Sequence, residues 1–146
     1  MNLLRGRGPI LILLALSSGL TGCSSQDRMK TAIVKGQVTY KGKPVPNGTV
    51  LFIPSDQGPS ATGELQKDGT YTLTTYRKGD GAVLGKHKVV IVAMEDNSDK
   101  LPEQRNPLPP SIVPDKYTSA VTTDLTAEVK DVENVIDFNL REEKKR

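Results

Sequence analysis

The stretch IVKGQVTYKGKPVPNGTVLFIP, residues 33–54, decides the fold class. Its first eight residues alternate. Val34, Val38 and Tyr40 fall on one face, and Lys35, Gln37 and Thr39 on the other. That is the pattern of a strand with one face in a core and one in water. Gly36 sits on the apolar face, where the missing side chain permits another element to come close. KGKPVPNG (41–48) then has the Gly, Pro and Asn content of a turn. TVLFIP (49–54) is a second strand, β-branched and aromatic.

The pattern repeats along the chain. ATGELQ (61–66) reads as a weaker strand after the break SDQGPS (55–60). KDGT (67–70) carries Asp-Gly, a strong hairpin signal. YTLTTY (71–76) sets Tyr71 and Leu73 against Thr72 and Thr74. RKGDGAVLGK (77–86) is a glycine-rich loop, and HKVVIVAM (87–94) is the most apolar strand, expected at the centre of a sheet. Residues 95–119 contain five Pro and read as an extended surface loop pinned by Ile112, Val113 and Tyr117. AVTTDLTAEV (120–129) places Val121, Thr123, Leu125, Ala127 and Val129 on one face. VIDFNL (135–140) closes with Ile136, Phe138 and Leu140 inward. No amphipathic helix of useful length appears. About seven short strands separated by turn signals predict an all-β fold, a β-sandwich. At 146 residues the chain fits one domain. It can bury roughly two-thirds of its unfolded surface, enough to fold without disulfides or metal.

The first residues follow another logic. Arg5 and Arg7 precede the apolar run PILILLAL (9–16), and small residues follow. That is a secretory signal. No run of 18 or more apolar residues indicates an ordinary spanning helix. Cys23, the only cysteine, ends the stretch LTGC (20–23), which resembles the lipobox of bacterial lipoproteins. The resemblance implies removal of residues 1–22, a diacylglyceryl group on the Cys23 thiol, and acylation of the new amine in many cases. Each buried methylene contributes about 0.8 kcal/mol, and two or more chains make such an anchor stable. Residue 24 is Ser, not the Asp that retains many lipoproteins at an inner membrane. The expected location is a bacterial cell envelope, at the outer membrane, facing the periplasm or the surface. The expected organisation is a signal peptide (1–22), lipidated Cys and tether (23–32), β-sandwich domain (33–140) and charged tail (141–146).

Composition removes several function classes. One Cys forms no intramolecular disulfide. One Cys and one His, His87, build no Cys/His zinc cluster. No metal or cofactor is expected. Lys plus Arg is 20 against 17 acids, but Arg5 and Arg7 leave with the signal, so no broad basic field argues for nucleic acid. Asp56, Asp68, Asp80, Asp96, Asp99 and Asp115 show no calcium-loop spacing. Asp68 and Asp80 each precede Gly and read as turn residues. No G-x-S-x-G occurs, so nucleophilic catalysis lacks its usual parts. His87, between Lys86 and Lys88, is expected at the surface. An isopeptide bond between Lys35 and Asn139, assisted by Glu64, is disfavoured because alternation points all three to solvent. For sugar binding, Trp is absent and Tyr71 faces the core, which leaves a surface cluster of Tyr76, Tyr117 and Arg77.

VKGQVTYKGKPVPNGTVLFIP, KDGTYTLTT and GAVLGKHKVVIV together resemble transthyretin-like, carboxypeptidase regulatory-like domains. IVPDKYTS and LTAEVKDVENVIDFNL resemble the C-terminal half of short lipoproteins of planctomycete-type bacteria that carry this domain. The resemblance spans residues 34–140. It implies a seven-stranded Greek-key β-sandwich of the prealbumin (transthyretin) type, and no activity. A related hydroxyisourate hydrolase needs several His and a C-terminal tyrosine motif; this chain has His87 alone and ends REEKKR. The expected protein is therefore a non-enzymatic binding or structural module. It would be held to a membrane through Cys23 and meet an envelope protein or glycan, by loop 95–119 or by strand addition at a sheet edge. A small-ligand or glycan-binding sandwich is the alternative, and a transthyretin-type hydrolase a remoter one.

Overall fold

The alternating segments form facing sheets in the computed structural model, which describes residues 28–98, 100–104 and 109–142. The expected signal peptide, Cys23 and the first part of the expected tether lie outside the described residues, as do parts of loop 95–119 and of the tail. The strands are β1 (Thr31–Ala32), β2 (Val34–Tyr40), β3 (Lys43–Pro44), β4 (Thr49–Pro54), β5 (Ala61–Glu64), β6 (Thr70–Thr72), β7 (Ala82–Val83), β8 (Gly85–Val92), β9 (Thr126–Val129), β10 (Asn134–Val135) and β11 (Phe138–Leu140). Two single 3₁₀ turns, Pro102–Gln104 and Asp115–Tyr117, complete the elements among the described residues. The seven expected segments thus become eleven shorter strands.

In one sheet β2 is central. It pairs parallel with β10 and β11 on one side, and antiparallel with β3 and β6 on the other. The second sheet has the order β5-β4-β8-β9, all antiparallel, so the most apolar strand is an inner one as expected. β1 and β7 form a small extra pair. The fold is all-β, of the β-sandwich kind. Its core joins Val34, Val38, Tyr71, Leu73, Phe138 and Leu140 to Val50, Phe52, Val89 and Ile91 from the second sheet. The Phe52 ring lies 6.1 Å from Phe138, edge-on, and 6.4 Å from Tyr71. Contacts of this kind add roughly 0.5–1.5 kcal/mol to area burial.

The last strand is split for a local reason. At Ile136–Asp137 the chain leaves its ladder with β2 over Gly36. The Tyr71 hydroxyl donates to the Ile136 carbonyl at 2.7 Å, and the Gln37 N–H donates to Asp137 Oδ1 at 2.8 Å. Those bonds pair backbone groups that the break would otherwise leave open.

Three residues depart from expectation. His87 is 1% exposed, not on the surface. β8 starts at Gly85, and strand alternation puts His87 on the same face as Val89 and Ile91, with Lys86 and Lys88 outside. Val121 is 89% exposed, because Thr122 and Thr123 donate backbone bonds to the Ser119 carbonyl and make a turn where a strand was expected. Tyr117 is buried beneath the second sheet's end, as a pinning residue and not as an exposed ring.

The registers also define two poles. β2 and β8 begin where β4 and β9 end. Residues 28–33, 54–60, 75–84 and 130–133 therefore gather at one pole, where the chain enters. Residues 41–48, 65–69, the ends of loop 93–125 and residues 141–142 gather at the other.

Candidate functional site

The entry pole is organised by one carboxylate. Asp80 accepts the backbone N–H groups of Thr75 at 2.7 Å, Tyr76 at 3.0 Å and Arg77 at 2.8 Å. Partial burial alone would raise its pKa; the N–H donors together outweigh that and hold it below the usual carboxylate value. The loop so fixed presents Tyr76, whose hydroxyl accepts the Met29 N–H at 3.1 Å. The Arg28 guanidinium lies 5.6 Å from the centre of the Tyr76 ring. The arriving chain is thus stapled to the loop through one aromatic side chain.

The expected cluster of Tyr76, Tyr117 and Arg77 is not assembled. Tyr76 is half-buried and Arg77 exposed at the entry pole. Tyr117 is 3% exposed, its hydroxyl bonded to the Arg141 backbone beyond β11, at the opposite pole. Lys116 stands 4.5 Å over the Tyr117 ring. Its pKa is raised by the Tyr117 hydroxyl first and by Asp124 second. No aromatic platform forms from these residues.

The remaining candidates separate cleanly. Lys35 pairs with Glu133, and Lys35, Asn139 and Glu64 are all exposed. Asp68 accepts the Thr70 hydroxyl at 2.6 Å and the Thr70 N–H at 3.0 Å, and those two bonds hold its carboxyl low. It serves the turn. Among the described residues no group of three or more His, Cys, Asp or Glu converges to hold a metal ion. Among the same residues no helix is long and apolar enough to cross a membrane.

No protein-family model, curated protein or solved structure matches the chain. Function must be read from its own surfaces.

A concavity lies on the outer face of the hairpin that joins the two sheets. It holds about 590 Å³ and is lined by Thr62, Glu64, Gln66, Thr72, Thr74 and Lys78. The Thr62–Thr74 bridge closes one end, and the Gln66 N–H on the Thr70 carbonyl closes the other. Between them the strands diverge into different sheets, and the outer face becomes hollow. Gly63 permits the bend, since a Cβ there would sit 2.8 Å from the Thr72 carbonyl oxygen. A shallower depression of about 370 Å³, lined by Lys35, Gln37, Thr70, Thr72, Val135 and Asp137, adjoins it at Thr72. Hydroxyl, amide, carboxylate and ammonium groups share this face. Such a surface offers both hydrogen-bond donors and acceptors to solvent. The chain's one imidazole, that of His87, is closed inside the core and does not reach this face. The sequence carried a faint signal for it: the threonines that face Tyr71 and Leu73 across the alternation.

Proposed function

We propose that this chain is a lipid-anchored β-sandwich of the bacterial envelope, acting as a non-enzymatic binding or structural module. The reading is carried by the lipobox at Cys23, followed at once by residues that pack on the sandwich. Thr31–Ala32 pairs with Ala82–Val83, and Met29 bonds Tyr76. Only residues 24–27 separate the proposed acyl site from the first described residue. The membrane is the first partner, through the anchor on Cys23. An envelope protein or glycan is the second, with the outer membrane as the proposed location.

The finer fold is part of this proposal. A Greek-key sandwich of the prealbumin type is supported by the strand orders. The first long strand, β2, lies beside and parallel to the last, and the chain changes sheet between β2 and β4, β5 and β6, β6 and β8, and β9 and β10. The transthyretin-like, carboxypeptidase regulatory-like family is proposed on the same basis.

Intact mass of protein extracted from membranes tests the reading. The expected species starts at Cys23 and carries diacylglyceryl mass; a Cys23→Ser version should lose both the mass and the partition into detergent. A wild-type chain that is soluble and unmodified would sink the lipoprotein reading.

A glycan-binding role has one observation in its favour, the polar concavity around Thr62 and Thr72. Titration with envelope oligosaccharides, followed by NMR, should then shift amide signals of residues 62–66 and 72–74 and leave those of the far pole still. Shifts scattered over the surface, or none, would end that reading.

A further inference from the structure

The pole where the chain enters sets unpaired bases beside exposed apolar side chains. Arg28, Arg77, Lys78, Lys86 and Lys130 are exposed there and take part in no ion pair among the described residues. The local acids are partly committed elsewhere. Asp131 pairs with Lys30, Glu133 pairs with Lys35, and Asp80 is turned onto backbone donors. Among the described residues Asp56, Asp80 and Glu128 are the unpaired acids left to oppose five cations. Met29, Ile33 and Val132 lie exposed among these bases.

Chain length brings this pole to a surface. A chain spans at most ~3.6 Å per residue, so the step from Cys23 to Arg28 reaches no further than ~18 Å. The far pole stands another ~25 Å away, since β8 rises about 3.3 Å at each of its residues. An acyl chain on Cys23 would therefore hold the entry pole within reach of lipid headgroups and the far pole away from them. Basic side chains interleaved with apolar ones suit that boundary, where cations meet anionic headgroups and short apolar side chains enter the interface.

We infer that the entry pole docks on anionic phospholipid headgroups, through Arg28, Arg77, Lys78 and Lys130, and so orients the sandwich with loop 95–119 facing away from the bilayer. The inference rests on the acylation of Cys23. Docking makes the anchor bivalent, with a lipid contact and an electrostatic contact on one short tether. It also leaves the polar concavity on the flank, open to ligands from the side.

The test uses full-chain protein purified from membranes and reconstituted in phosphatidylcholine vesicles with or without phosphatidylglycerol. One variant carries Gln57→Cys at the entry pole and another Lys67→Cys at the far turn, each with a fluorescent label. The acylated sulfur of Cys23 is a thioether and takes no label. A lipid-borne quencher should quench the residue 57 label, and only on vesicles with phosphatidylglycerol. The residue 67 label should stay bright on both. Salt at ~1 M, where the screening length is about 3 Å, should abolish the difference, as should the double change Arg77→Glu and Lys78→Glu. Acylated, vesicle-bound protein whose two labels behave alike would overturn the docking and leave the anchor standing. Protein that takes label on Cys23 and stays off the vesicles would overturn both.

Discussion

Replacing Gly36 by Ala is expected to destabilise the folded chain by about 3–5 kcal/mol. A Cβ at this position would lie 1.8 Å from the Ile136 carbonyl oxygen and 2.6 Å from its carbon. Both atoms are backbone, so no side chain can swing aside. Relief requires residues 136–137 to move off β2. That movement breaks the bond from the buried Tyr71 hydroxyl to Ile136 and the bond from the Gln37 N–H to Asp137. Overpacking of a filled site costs roughly 1–3 kcal/mol, and each lost bond about another 1 kcal/mol. Burial pushes the Tyr71 hydroxyl pKa well up, with the charge of Asp137 adding to it, so the phenol cannot escape by ionising. Gly42 is the control. Its φ is +74° and nothing lies within 4 Å of a Cβ there, so Gly42→Ala should cost no more than about 1–2 kcal/mol. Urea unfolding of the two variants beside the wild type measures the difference. Equal midpoints for Gly36→Ala and wild type would show that the 134–140 segment is not held against β2 in this way.

That same glycine marks how much was legible beforehand. Strand alternation gave Gly36 an inward face, and the close approach expected there is a carbonyl. The inward sets Val34/Val38, Tyr71/Leu73 and Phe138/Leu140 followed from period two alone, because a one-residue slip would expose every one of them. Legibility failed where period two stops. Nothing in SIVPDKYTS tells which way Tyr117 points, since its direction is set by a 3₁₀ turn and by a distant backbone partner at Arg141. The cluster with Tyr76 and Arg77 failed for that reason. The concavity at Thr62 and Thr72 was only faintly legible, for another reason. It arises from the divergence of two hairpin strands into separate sheets, a property of the assembled sandwich and of no short stretch. His87 is a different kind of miss. The alternation that buries Val89 and Ile91 also buries residue 87, and the flanking lysines drew attention to the wrong face.

The buried imidazole leads to the second large effect, a loss of stability in mild acid. His87 Nδ1 lies 3.1 Å from the Gly85 carbonyl oxygen, which requires the proton on Nδ1. Nε2 is buried without a hydrogen-bond partner among the described residues. Phe52 packs on the ring at 5.7 Å, and the residues directly across in the sheet are Pro54 and Ala127. Among the described residues no carboxylate acts on it, and its neighbours Lys86 and Lys88 are exposed. A proton on Nε2 would place an uncompensated charge in the core. Burial accordingly lowers the folded-state pKa from 6.5, and the Gly85 carbonyl opposes this only in part. In the unfolded chain the imidazole titrates at its ordinary value. Below pH ~6.5 the unfolded state therefore binds a proton that the folded state refuses, and stability falls as pH falls. The slope approaches about 1.4 kcal/mol per pH unit until the folded-state imidazole titrates in its turn. Asp68, Asp80 and Asp96 are all held low in the folded state, so their stabilising contribution is lost only at a more acid pH, near and below ~4. Between pH ~6.5 and ~4.5 the histidine should dominate. His87→Leu, which keeps an apolar side chain against Phe52, should flatten urea midpoints across that window while leaving the decline below it. A variant that keeps the full wild-type slope would place the acid-sensitive group elsewhere and show that water reaches His87 in the folded chain.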